Sequence, residues 1–177
     1  MKIFGITGNK NSGKTTLMER LVADMSARGF SVSTIKHTHH AVDVDQPGKD
    51  SHRHRAAGAQ QVLLVSQCRW ALMTEFRDEP EPNMDELIAQ LAPVDLLFVE
   101  GYKRDAHAKI ETHRHETGKG LIARDDPTIK AVASNSSALD IDRPVLDLNN
   151  TTQIAEFILE EIGYADNEPA RAGAYGR

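Results

Sequence analysis

Cysteine is almost missing: Cys68 is the single one in 177 residues, so no intrachain disulfide can form. That excludes a disulfide-stapled secreted scaffold and fits a reducing, cytoplasmic setting. Nothing around Cys68 suggests an activated thiol, and it reads as a half-buried structural residue. A basic excess is missing too. Lys and Arg number 21 against 26 Asp and Glu, a net charge of −5, the opposite of the positive footprint of a general nucleic-acid binder. No run reaches the roughly 18 apolar residues of a membrane span, so no membrane association is expected. The chain enters a strand-like segment at once, which argues against a signal peptide. No internal repeat is visible. The length suits one domain with a sizeable core, and residues 1–164 are expected to form a single nucleotide-binding domain. Residues 165–177 are Ala/Gly/Arg-rich without periodicity and read as a flexible tail.

What the chain does contain is a complete phosphate loop. Residues 8–15 read Gly8-Asn9-Lys10-Asn11-Ser12-Gly13-Lys14-Thr15, the G-x-x-x-x-G-K-[ST] pattern, placed between an apolar strand candidate (residues 1–7) and a helix. Such a loop wraps backbone N–H groups around a phosphate at a helix N-terminus. Lys14 reaches outward to the outer phosphates, and the Thr15 hydroxyl suits Mg²⁺. The helix opens at Thr16, carries Leu17, Leu21, Val22 and Met25 on one face, and ends at Gly29.

Strands and helices then alternate. Residues 31–36 are β-branched and alternating, and residues 37–51 form a long polar loop. Residues 52–59 read as a short helix. Residues 62–65 and 70–75 are strands joined by a polar turn, with Trp70 in core or at a subunit contact. Asn83 caps a helix over 84–91. Residues 94–100 are the most continuous apolar strand, as a strand covered on both faces must be. Residues 109–115 and 120–124 are weaker strand candidates, residues 129–133 and 145–148 stronger ones. Thr151 is expected to cap a last helix over 153–162. This order implies an α/β fold: three layers, a mostly parallel sheet with helices on both faces, in the manner of P-loop NTPases. Ligands of such sheets sit beyond the carboxyl ends of the strands, where the loops after Gly8, Lys36, Glu100 and Ser134 can meet.

Glu100 ends its strand at the position where phosphate-loop proteins place the acid that holds Mg²⁺ or its water. Asp43, Asp45 and Asp50 lie in the long loop; Asp45 and Asp50 are candidates for positioning water or metal, and equally for a solvated acidic loop. Lys36, Lys49 and Lys103 occupy rim positions. The eight histidines cluster at 37–40, 52–54 and 113–115. A transition-metal site would explain them, yet their spacing matches no zinc motif. No Asn-Lys-x-Asp tetrapeptide follows a late strand. Ser134-Asn135 takes the comparable place, where Asn135 suits either a purine edge or a turn.

Taken in order, the phosphate loop with Thr16, Lys36-His37-Thr38-His39-His40, Asp43-Val44-Asp45 and Pro47-Gly48-Lys49-Asp50-Ser51 resemble one family. Arg69-Trp70-Ala71-Leu72-Met73-Thr74-Glu75, Val99-Glu100-Gly101-Tyr102-Lys103 and Ala131-Val132-Ala133-Ser134 continue the likeness. The chain from Met1 to about Ile162 is similar to MobB, the molybdopterin-guanine dinucleotide biosynthesis adaptor family. The resemblance implies a GTP-binding homodimer with weak GTPase activity. It would assist MobA, the guanylyltransferase that joins GMP to molybdopterin, with molybdopterin itself a candidate second ligand. It implies that Gly8 and Asn11, Ser12, Gly13, Lys14, Thr15 and Thr16 hold phosphates, that Thr15 and Glu100 serve Mg²⁺, and that the 36–51 loop covers the nucleotide. Hydrolysis would set Lys14 against the developing charge; Arg53, Arg55 and Arg104 are the candidates for an arginine finger. One departure stands out: Asn135 occupies a place where an acid would accept more naturally from guanine. Two other readings use the same loop, a metal-delivery GTPase for nickel or zinc and a small-molecule kinase, although no Arg-rich lid is visible for the latter.

Overall fold

The computed structural model describes residues 1–38 and 42–164. The tail expected at 165–177 and two of the clustered histidines, His39 and His40, lie outside them. The described residues gather into two compact units, one of Met1–His37 with the chain from Ala92 onward, the other within Thr38–Leu91.

The first unit is built on a six-stranded sheet in the order β2-β5-β1-β6-β7-β8. Its strands are β1 (Lys2–Gly8), β2 (Val32–Lys36), β5 (Leu96–Glu100), β6 (Lys109–His113), β7 (Ile129–Ser134) and β8 (Val145–Asp147), and every pairing is parallel. The α/β, P-loop-like class expected from the alternating elements is what the chain adopts. In β5 all of Leu96, Leu97, Phe98 and Val99 are buried, as a strand covered on both faces requires. Parallel register aligns the strand ends: Lys36 opposite Glu100, Gly8 opposite Thr112, His113 opposite Ser134, and Ser134 opposite Asp147. One rim therefore carries Lys36, Glu100, Gly8, Thr112, Ser134 and Asp147.

Helices α1 (Lys14–Ala27) and α4 (Thr151–Glu161) pack together over one face of this sheet. Leu17, Leu21 and Met25 from α1 meet Ile154, Ile158 and Leu159 from α4, over Phe4, Ile6, Phe98 and Ile110. A smaller cluster of Ala123, Ile129 and Val132 forms beside β7. The cap of α4 is Asn150, whose side chain accepts from the Gln153 N–H; Thr151, expected as the cap, is the first helical residue. Residues 120–124 are not a strand. Ile122–Arg124 forms a 3₁₀ turn because the buried Glu111 carboxylate accepts from the N–H groups of Ile122 and Ala123. Those donors are thereby satisfied without a neighbouring strand.

The second unit holds α2 (Asp50–Ala56), the antiparallel hairpin β3 (Gln61–Val65) and β4 (Trp70–Thr74), and α3 (Met84–Ile88). Asn83 and Glu86 close a reciprocal capping box on α3. Cys68, expected half-buried, is exposed in the hairpin turn. Trp70 is 66% exposed, alongside Leu63, Leu64, Val65 and Leu72, so it takes no part in a core. The unit is held instead by Arg55, whose guanidinium reaches Asp43 at 2.7 Å, Glu75 at 2.6 Å and Asp45 at 3.3 Å.

Phe98 is completely buried in the main core. Phe98→Ala is expected to destabilise the first unit by about 3–5 kcal/mol, the usual cost of an aromatic truncation, read as a lowered denaturant midpoint.

Candidate nucleotide-phosphate site

The loop between β1 and α1 takes its shape from three residues at positive φ: Gly8 at 144°, Asn11 at 65° and Gly13 at 98°. Gly8 is required by space as well. A Cβ there would lie 2.5 Å from the Thr112 carbonyl and 2.6 Å from the hydroxyls of Ser12 and Thr112. Those two hydroxyls are themselves bonded at 2.7 Å, and the Thr112 hydroxyl lies 3.1 Å from the Thr7 carbonyl. Ser12 is therefore turned inward and buried, latching the loop to β6. With that side chain occupied, the backbone N–H groups ahead of α1 remain the anion-facing surface.

Lys14 folds back over the loop, its ammonium donating to the carbonyls of Gly8 at 3.1 Å and Asn9 at 2.7 Å. Burial lowers its pKa below the ordinary 10.5, and the positive charges of Lys103 and Lys36 push the same way, partly opposed by Glu100. Glu100 is buried, with the Thr15 hydroxyl 3.3 Å and the Lys36 ammonium 3.5 Å from one carboxylate oxygen. Lys36 pairs with this carboxylate, Lys14 feels its charge, and Lys36 and Lys103 both act on Lys14, so the cations here outnumber the acid. This imbalance suits a polyanion, and the Thr15–Glu100 pair suits a small hard cation bound to it. Gly101 lets the chain turn tightly beside Glu100, since a Cβ there would meet His37 at 2.9 Å. The His37 ring packs on Tyr102 with centroids 4.5 Å apart.

The sheet thus brings together Gly8, Asn11, Ser12, Gly13, Lys14, Thr15, Thr16 and Glu100. Asp45 and Asp50 belong to the second unit. Asp45 accepts from the Ser51 hydroxyl at 2.9 Å and is paired with Arg55; Asp50 is exposed, 3.9 Å from Arg53. Asn135 follows β7, but its amide is engaged: Nδ2 donates to both Glu116 oxygens at 2.8 and 2.9 Å, and Oδ1 accepts from the His115 N–H. His113 is buried on the Ser134 hydroxyl. Among the described residues no group of three or more His, Cys, Asp or Glu is placed to hold a metal ion. Of the arginines, Arg55 is committed to three carboxylates. Arg114, which sequence reasoning passed over, lies against the loop, its Nε 3.3 Å from where a Gly13 Cβ would stand. Its position directly after the strand beside β1 was the available signal.

A parallel sheet with a G-x-x-x-x-G-K-[ST] loop between β1 and α1, and an acid at the end of an adjacent strand, defines an α/β protein of the P-loop NTPase-like fold class. A family model described as MobB, molybdopterin guanine dinucleotide synthesis protein B, matches residues 3–135. The molybdopterin-guanine dinucleotide biosynthesis adapter protein of Haemophilus influenzae is 46% identical over 159 residues, covering 88% of this chain and 86% of that protein. The Escherichia coli adapter protein is 43% identical over 84% of this chain and 86% of its own length. A solved MobB homologue from Bacillus stearothermophilus superposes with a TM-score of 0.68 at 26% identity, covering 92% of this chain and 98% of that one. The chain belongs to the MobB family of molybdopterin-guanine dinucleotide biosynthesis adapter proteins. No helix among the described residues is long and apolar enough to cross a membrane.

The depressed Lys14 pKa sets a pH dependence. An anion favours the protonated ammonium, so the affinity of this loop for any phosphate it binds would be full below the lowered value and decline as pH rises through it, short of 10.5. Titration calorimetry in the alkaline range is expected to show both the decline and proton uptake on binding.

Proposed function

We propose that this chain is a GTP-binding adaptor that hydrolyses its nucleotide slowly and serves MobA, the guanylyltransferase that attaches GMP to molybdopterin. The observation that carries the nucleotide half is the loop itself, latched by Ser12 to Thr112, with Lys14 folded over its carbonyls and Thr15 beside the buried Glu100. The similarity to the Haemophilus influenzae and Escherichia coli adapter proteins supports the pathway half.

In this reading the N–H groups from Asn11 to Thr16 bind the phosphates, and Ser12 holds the loop open through Thr112. Lys14 exchanges its two carbonyl acceptors for phosphate oxygens and faces the charge that develops as the terminal phosphoryl group leaves. Thr15 and Glu100 would hold Mg²⁺, which would supply charge neutralisation to the phosphates. Glu100, already within 3.3 Å of the Thr15 hydroxyl, keeps that donor set oriented. Arg55 is tied to Asp43, Asp45 and Glu75, so it is not poised as a finger. An arginine finger contributes about 10³–10⁵ in rate, and turnover without one is slow. Slow hydrolysis suits a protein whose nucleotide state is read by a partner.

Titrating the chain with GTP and ATP, with and without Mg²⁺, tests the site. Lys14→Ala is expected to weaken GTP binding about 100-fold or more, about 2.8 kcal/mol. Glu100→Gln should erase the Mg²⁺-dependent part of the affinity. Wild-type affinity in Lys14→Ala would refute the phosphate role. The adaptor half is tested by adding the chain to MobA, molybdopterin and GTP, where the rate of guanine dinucleotide formation should rise.

The hairpin supports the homodimer. Leu63, Leu64, Val65, Trp70 and Leu72 are all exposed on two paired strands, and an apolar strand pair of this kind is a ready template for association. A double Leu64→Lys, Trp70→Lys variant is expected to run as a monomer in size-exclusion chromatography with light scattering, while the unaltered chain runs as a dimer.

A further inference from the structure

Beyond the carboxyl ends of β7 and β8 lies a cavity of about 420 Å³, walled by Ser134, Asn135, Ser136, Ser137, Asp147 and Asn149. It sits on the same rim as the phosphate loop and is joined to it through the turn after β8. A Cβ on Gly13 would stand 3.6 Å from the Leu148 side chain. Arg20 of α1 donates to the Leu148 carbonyl at 2.5 Å and the Asn149 carbonyl at 3.2 Å. The Leu148 N–H in turn donates to the Ser134 carbonyl at 2.9 Å. The first turns of α1, the end of β7 and the turn after β8 therefore form one connected wall. Ligands of open α/β sheets lie beyond the carboxyl ends of the strands, so this wall belongs to the rim where a nucleoside would rest.

Asn135, which follows β7, and Asp147, which ends β8, are candidates on this wall to read a base edge. The Asn135 amide is spent at both ends on Glu116 and His115, which fastens the 114–117 segment. Asp147 is different. It lines the cavity from an exposed position, and its Oδ1 accepts from the Asn149 N–H at 2.8 Å. Its Oδ2 has no hydrogen-bond partner among the described residues. A carboxylate offers two oxygens and about four acceptor sites, so capacity remains on both. Guanine presents two adjacent donors, N1–H and the 2-amino group. Adenine presents an unprotonated N1 in the same place, and an acceptor facing a carboxylate is repelled. Ser136 and Ser137 line the same cavity, and a serine hydroxyl suits the guanine O6 as a donor.

We infer that Asp147 is the base-reading residue and that its carboxylate, from the end of β8, makes the site selective for guanine in place of an acid after β7. This rests on the nucleotide reading above and goes beyond it by naming the specificity determinant.

The test compares GTP, ITP, XTP and ATP by calorimetry on the full chain in saturating Mg²⁺. ITP lacks only the 2-amino group, and the unaltered chain should bind it at least tenfold more weakly than GTP, about 1.4 kcal/mol. Asp147→Asn places an amide where xanthine carries a 2-carbonyl, so it should lose at least tenfold for GTP and gain at least tenfold for XTP. Equal binding of GTP and ITP by the unaltered chain overturns the inference even if the variant does not fold. So does an unchanged GTP-to-XTP ratio in a folded Asp147→Asn. Both results leave the phosphate site standing. Binding of none of the four nucleotides would remove the nucleotide reading itself, and Asp147's role with it.

Discussion

The site depends on a backbone contact, the close approach of Gly8 to Thr112. The loop between β1 and α1 runs against β6 with no room for a side chain, and the Ser12–Thr112 hydroxyl bond closes the latch. With Ser12 turned inward, the loop presents main-chain donors outward at the start of α1, and Lys14 bridges its far side. The rim, the lysine cluster and the cavity at β8 all take their positions from the strands that this contact registers. The parallel pairing of Gly8 with Thr112 and of Ile6 with Glu100 places the carboxylate beside the loop.

How legible this was varies with the range of the forces involved. The phosphate loop, the apolar run of β5 and the amphipathic faces of α1 and α4 are local patterns, and the chain obeys them. Glu100 was legible because it ends the most continuous strand. The 3₁₀ turn at Ile122–Arg124 was not, because Glu111, eleven residues before Ile122, supplies its cap from inside the protein. Thr112 and Arg114 escaped notice for the same reason: their roles come from the sheet neighbour they face. Cys68 was misjudged, and of the two places open to Trp70 the core is excluded, because an apolar residue on a two-stranded hairpin has no second layer to bury it. Asn150 displaced Thr151 as a cap by a single residue, a shift that local preference cannot resolve when Asn and Thr stand side by side.

Membership of the MobB family gives these details a setting. An adaptor in cofactor assembly has to be read by another protein, and under the proposed function a slow nucleotide site would provide two long-lived states to read. Asp147 would tie that readout to guanine, the base that the finished dinucleotide carries.

Arg55 gives the smaller unit a different physical character. Where the larger unit is held by aliphatic and aromatic packing, this one gathers Asp43, Asp45 and Glu75 around a single guanidinium, with Ser51 as a rare buried neighbour. The Asp45 N–H and Arg55 keep the Asp43 carboxyl below its usual range. Coulombic cohesion of this sort is screened by electrolyte, while hydrophobic burial is not weakened by it. The two halves of the molecule therefore answer to different solvent variables, and ionic strength becomes a dial that loosens one while sparing the other.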